Sequence, residues 1–446
     1  MTENTSPLLE RGLWSAMDAA ARDDLLTRGL EKIFDPALRE SVLEIVEDVR
    51  LNGDAALVRA LAKFDGVEIE PAQIRVSRAE FEAARAALKP GMIDAIRESI
   101  AFVRRYNEQI LAHDADWMFE TAPGVMVGER TSPIESAGLF VPSGKGSYPS
   151  VLIQLATPAV VAGVQRIAVV VPPVAGSGGR VDDAVLVVAD ELGIEDVFRV
   201  NGPAGVAALA FGTESIPAVR KVCGPGSPPV ASAQIEVQRY GTPSVMLLGP
   251  SESLILADDS VDVRLLAADL LNEAEHGPDS SSVLVTDSQE LIDALQPEIA
   301  KQLAELPEPR RGYAALSLGT NGGAVLVSSL EEGAEVANAY APEHMQLVVR
   351  AELEDAVLDL IHDAAEVLLG QDTTVSMGNF VLGVPASLPT SGYAKVSSGI
   401  TAHAFRKKRA IAKSTREGLV ALSGTVLAFT EHEGFPAHGK AVSARL

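Results

Sequence analysis

Two stretches of this 446-residue chain bring acid and base side chains close enough in sequence to act together. In NAYAPEHMQ, Glu343 and His344 are adjacent behind Pro342 and between apolar segments. Regular helix or strand geometry sends neighbouring residues in different directions, but an extended or turn segment after a proline can present an acid and a base to one reacting centre. A solvated loop pair is the competing reading. In DLLNEAEHG, Glu273 and His276 share one face of a helix that Gly277 and Pro278 bring to a stop. Such a carboxylate and imidazole can bind one metal ion, or simply pair at a helix end. His432, Glu433 and His438 in EHEGFPAHG form a third group, and on local grounds they read as surface residues of a terminal segment.

The glycine-rich loops are weaker signals. VPSGKGSYPS (141–150) and CGPGSPP (223–229) match neither the GxGxxG fingerprint nor the P-loop, and tight turns at strand ends account for both. Each nevertheless follows an apolar run, the place where open α/β sheets bind ligands. Cys223 is the single cysteine, so no internal disulfide is possible. It ends an apolar run and reads as a buried, inert thiol, not the nucleophile of a thiol-dependent aldehyde dehydrogenase.

The elements that must position these residues follow from pattern. SVLEIVEDVRLNG and AALVRALAKFDG step their apolar residues by three and four and stop at Gly, predicting helices in the first hundred residues. From Gly138 short apolar runs alternate with helical stretches, as in RIAVVVPP, DDAVLVVADELG and DVFRV, and a second such block follows in SLILADD, SSVLVTD and GAVLVSS. That is the βαβ signature of parallel sheets. The expected architecture is α/β: a helical N-terminal segment (1–40), a first Rossmann-like domain from 41–137 with 253–400, a second from 138–252, and a small helical C-terminal segment (401–446). The turn-rich stretch from Gly378 to Gly399 marks a functional or flexible segment.

Composition narrows the partners. A formal net charge of −24 argues against nucleic acid, whose binding is carried by clustered Lys and Arg. The one basic cluster, Arg406-Lys407-Lys408-Arg409, reads as a solvated helix face. No run reaches the roughly 18–20 apolar residues of a membrane span, and MTENTSPLLERG lacks a signal-peptide pattern, so a cytoplasmic protein without a membrane partner is expected.

Five blocks in order, GLFVPSGKGSYPS, VCGPGS, LGPSESLILADD with the helix to EAEHGPDS, YAPEH, and MGNFVLG…LPTSG…SSG with EGFPAHG, make the chain resemble the histidinol dehydrogenases from about Ser41 to the C-terminus. The resemblance implies NAD, one Zn²⁺ per subunit, a small-molecule alcohol substrate and a homodimer whose C-terminal segments complete each other's sites. The family's zinc ligands, a Gln and a His on the helix, an Asp in a GDY segment and a C-terminal His, fall on Glu273, His276, Asn379 and His438. Glu for Gln and Asn for Asp keep an oxygen donor at each position and leave one anionic ligand.

By the same resemblance His344 is the base that takes the alcohol proton, and Glu343 activates the water that attacks the aldehyde. Ser251 and Glu433 match substrate contacts, whereas Ala386 stands where the family has a substrate-binding His. At the nucleotide positions Phe140 replaces a Tyr, Ala204 a Gln and Ser227 an Asn. Departures at ligand positions beside an intact acid/base pair imply a paralogue acting on an alcohol other than histidinol, such as a sulfonated or polar diol, for which Lys395 or Lys145 is the candidate cation. Histidinol dehydrogenase proper and a non-catalytic binding member are the alternatives.

Overall fold

Runs such as Arg166–Val171, rich in valine and without polar alternation, suit strands covered on both faces. The computed structural model describes residues 6–28, 33–143, 146–245 and 249–446. Its strands are β1 (Glu10–Leu13), β2 (Trp117–Ala122), β3 (Val125–Pro133), β4 (Ser136–Phe140), β5 (Arg166–Val171), β6 (Val197–Arg199), β7 (Val222–Cys223), β8 (Glu252–Ala257), β9 (Ser281–Thr286), β10 (Gly323–Leu326), β11 (His344–Val348), β12 (Glu366–Leu369) and β13 (Arg406–Ser414). Two parallel sheets result, one of six strands in the order β1-β10-β9-β8-β11-β12 and one of four in the order β6-β5-β4-β7. The α/β expectation holds.

Three local expectations are corrected. The N-terminal segment is not only helical, because β1 adds an edge strand to the six-stranded sheet beside β10. The core of residues 41–112 lies against the four-stranded sheet, with Ile400 joining it and Gly383 packed on the Phe102 carbonyl. Val42, Val46 and Leu57 of helix α1 (Pro36–Ala60) join Ala168 and Val170 in one core. Phe81 of α2 (Arg78–Ala87) and Ile96, Ile100 and Val103 of α3 (Pro90–Ala112) join Val169 and Val171 in another. Alternate residues of β5 thus face opposite helical layers, and a parallel sheet needs both. Finally, Arg406–Ser414 is a strand, paired antiparallel along its whole length with β3 in a three-stranded sheet. Its basic cluster lies on that sheet, where Lys408 reaches Asp114 and Glu129.

The site follows from the direction of the chain. In a parallel sheet the helix after a strand runs back, so its C-terminal end returns to the amino edge of the sheet. Helices α4 (Pro149–Ala162), α5 (Asp183–Glu191), α6 (Gly202–Phe211) and α7 (Pro228–Gln238) serve the small sheet, and α8 (Val263–Ala274) follows β8 in the large one. The end of α8 carries Glu273, with His276 just beyond, to the edge where Glu252, His344 and Glu366 begin β8, β11 and β12. The carboxyl edge of the small sheet faces it: Gln154 of α4 lies 3.5 Å from the Asn379 carbonyl and accepts from the Ala386 amide at 3.3 Å.

Gln346 of β11 ties α8 and the 373–380 segment to the sheet, donating to Asp269 at 3.2 Å and to the Thr373 carbonyl at 3.1 Å. Burial pushes the Asp269 carboxyl up to about 6, against the Gln346 hydrogen bond. The unfolded value is near ~4, so the stabilisation from this group is complete below about pH 4 and is lost as pH rises through about 6. Asp269→Asn removes the ionisation. Its stability advantage over the parent should grow between about pH 4 and 6 and level at about 2–3 kcal/mol. Urea unfolding across that range checks it; an advantage independent of pH would contradict it.

Candidate functional site

Helix α9 (Leu330–Tyr340) ends at Ala341, a non-glycine residue at φ 52, and Pro342 then turns the chain into β11. Positive φ is uncommon for alanine and is held here by the surrounding structure. The turn leaves Glu343 and His344 at the sheet's amino edge, both buried. Glu343 Oε2 accepts from the Glu252 amide at 3.0 Å, and Glu343 Oε1 lies 3.9 Å from His344 Nε2. His344 Nδ1 lies 2.6 Å from Glu366 Oε2. The sequence pair is therefore a spatial pair, turned inward.

Burial pushes Glu343 up to about 8, although His344 pulls it down. Burial alone would depress His344, but the Glu366 hydrogen bond and the carboxylates of Glu343, Glu273 and Glu366 outweigh it and hold the imidazole up at about 10. Burial thus works against the ionised form of Glu343, while the surrounding carboxylates favour the imidazolium of His344. A divalent cation among Glu273 and His276 would lower both by favouring the carboxylate and disfavouring the imidazolium.

Glu273 is 1% exposed. Its Oε1 accepts from Asn272 at 2.9 Å and, at 3.5 Å, from Asn379 on the short helix α10 (Val375–Phe380). Its Oε2 lies 2.6 Å from His276 Nδ1, yet that buried nitrogen makes no hydrogen bond. Burial raises the Glu273 carboxyl, but His276 outweighs it and the net shift is downward; His276 is correspondingly raised. A carboxylate and an imidazole converging beside the Asn379 amide are a donor set that fits Zn²⁺. Among the described residues no group of three or more His, Cys, Asp or Glu stands together as a metal site.

His438 does not join these three within the chain. It lies on helix α12 (Pro436–Ser443), exposed, its ring 5.1 Å from Phe435. Glu433 is exposed at the end of α11 (Arg416–His432). Ser251 stands half-buried just before β8, its carbonyl accepting from Ser281 at 3.0 Å. Lys395 is committed to the Ala339 carbonyl at 2.8 Å, and Lys145 lies outside the described residues. At the carboxyl edge of the small sheet, Phe140 and Ala204 are buried in the core and Ser227 is the residue before α7. Cys223 is buried with its thiol pushed up to about 12 by desolvation, which makes it inert.

Sequence reading missed Arg28, Glu252 and Glu366. The buried Arg28 guanidinium donates to Glu252 Oε2 at 2.9 Å and to the Tyr340 carbonyl at 2.8 Å, stacked 3.5 Å from the Tyr340 ring centre. Glu252 Oε1 accepts from the Ser391 amide at 2.8 Å. The partners lie far apart in sequence, so no local pattern reveals them. Arg28→Ala strands the buried Glu252 carboxylate and should cost about 3–5 kcal/mol in chemical unfolding, where an exposed pair would cost under about 1.

A two-sheet α/β frame with this buried acid/base pair at its cleft is that of an NAD-dependent dehydrogenase acting on a CH–OH group. The chain belongs to the histidinol dehydrogenase family, which it matches over residues 31–446. It is 40% identical to a histidinol dehydrogenase homolog of Colwellia psychrerythraea, over 96% of this chain and 95% of that one. It is 37% identical to a histidinol dehydrogenase of Xanthomonas euvesicatoria, over 97% and 98%. The crystal structure of histidinol dehydrogenase from Elizabethkingia anophelis superposes with a TM-score of 0.92 at 30% identity, covering 99% of this chain and 98% of that one. Zinc and NAD are typical of the family. Among the described residues no helix is long and apolar enough to cross a membrane.

Proposed function

We propose that this enzyme oxidises a primary alcohol through an aldehyde to a carboxylate, and that its alcohol is a polar diol, sulfonated or not, in place of histidinol. The observation that carries the chemistry is the inward-turned Glu343–His344 pair at the cradle of Glu273, His276 and Asn379. The reading of the substrate rests on Ala386, half-buried with its backbone amide donating to Gln154, at a position where by resemblance the family has an imidazole. A site without that hydrogen-bonding partner loses its hold on the substrate that needs it.

Glu273, His276 and Asn379, with His438 from a second copy of the chain, would hold one zinc. When bound, it holds and polarises the alcohol oxygen. NAD, when bound, would supply the hydride acceptor for each oxidation. Its place is the carboxyl edge of the small sheet, where strand order reverses between β4 and β7. Gly224 packs so tightly on Phe140 there that a Cβ would lie 2.0 Å from its carbonyl oxygen, so backbone forms the floor. His344 Nε2 receives the hydroxyl proton in the first oxidation. Glu343, as the carboxylate, takes a proton from the water that adds to the aldehyde.

NADH formation across amino alcohols, polyols and sulfonated diols tests the reading. Turnover confined to histidinol would assign the chain to the biosynthetic enzyme, and no turnover on any alcohol would leave only binding. On the accepted alcohol, His344→Asn should lower kcat by about 10²–10⁴-fold with the zinc content unchanged. Protein purified without chelator should carry about one zinc per subunit. Truncation after Ser423 removes Glu433 and His438, and should release the zinc and abolish activity if a second copy completes the site. Zinc retained at full occupancy by the truncated chain would exclude His438 as a ligand.

A further inference from the structure

Glu366 opens β12 in register with His344, which opens β11. Paired residues on neighbouring strands send their side chains to the same face. The carboxylate therefore meets the imidazole at the sheet edge, where both side chains are 4% exposed. Glu366 Oε2 faces Nδ1 at 2.6 Å, while Nε2 is 3.9 Å from Glu343 Oε1. The other carboxylate oxygen, Oε1, is buried and has no hydrogen-bond partner. Gly378 closes over it: a Cβ there would lie 2.8 Å from Oε1, so a side chain at 378 would require the carboxylate to shift.

Sheet packing offers no reason for a carboxylate at this point. An apolar side chain would fill the place without leaving an oxygen unsatisfied, and burying an ionised carboxylate is costly. Among the described residues the one group that the Glu366 carboxylate meets in a hydrogen bond is the His344 ring.

We infer that Glu366 is the positioning residue of this active site, accepting the Nδ1 proton of His344 so that the Nε2 lone pair is the one presented to the alcohol. This rests on the reading of His344 as the base. In the first oxidation the O–H bond of the alcohol breaks and its proton joins Nε2. The Nδ1 proton stays on nitrogen, and Glu366 remains a carboxylate that stabilises the imidazolium until the proton leaves to solvent. Glu366 touches neither alcohol nor cofactor.

The test uses the full-length holoenzyme labelled with ¹⁵N-histidine, with the His344 signals assigned by their loss in His344→Asn. The parent should show a His344 Nδ1 proton shifted far downfield by a charged acceptor, and Glu366→Gln should move it upfield. On the alcohol found by the NADH panel, Glu366→Gln should lower kcat by about 10²-fold or more, with KM within about twofold. A parent Nδ1 without a proton overturns the inference, as does a resonance or a kcat that Glu366→Gln leaves in place. The parent spectrum needs no variant to fold and no substrate. If no alcohol is oxidised, the functional reading fails while the spectra still decide the pairing.

Discussion

Four carboxylates, those of Glu252, Glu273, Glu343 and Glu366, are buried at the amino edge of one sheet, and everything else at the site answers to their charge. Left alone, such a cluster would take up protons or force the edge open. Each carboxylate is instead given a specific counterpart: Arg28 for Glu252, His276 for Glu273, His344 for Glu366, and the Glu252 amide for Glu343. Arg28 arrives from the N-terminal segment and the histidines from a strand and beyond a helix end. The cluster therefore stays buried only when three separate stretches of chain are in place.

Topology explains why these groups meet where they do. Sites in open α/β sheets ordinarily lie beyond the carboxyl ends of the strands. Here the chemistry gathers at the amino ends of the large sheet, because α8 returns its C-terminal end to that edge and the negative pole of the helix favours a cationic His276. The small sheet offers the opposite, carboxyl edge across the cleft. The amino edge of one sheet and the carboxyl edge of the other thus face the same region.

Much of the fold was legible because its signals are local. Valine-rich runs between helical stretches gave the two parallel sheets, and the adjacency of Glu343 and His344 gave the acid/base pair. What escaped was long-range. β1 and β13 are edge strands, whose pairing residues lie more than 270 positions away, and their own composition is too polar or too basic to announce a strand. The packing of α1 to α3 on the small sheet is set by which face lacked a cover, a property of the assembled domain. Glu366 sits in AAEVLLG with no acid or base nearby in sequence, and only strand register makes it a neighbour of His344. The separation of His438 from Glu273 belongs to the same class, since the path of the C-terminal segment is not written in its local sequence.

Gln154 carries a consequence for how the two halves of the molecule recognise each other. Its amide offers a hydrogen to the Asn379 carbonyl and an oxygen to the Ala386 amide. Glutamate has no hydrogen to give the first when ionised, and lysine has no lone pair for the second. The seam between the halves is thus read like a plug with two unlike pins: one planar group, in one orientation, fits both sockets, and a side chain of the same length but a single polarity fits only one.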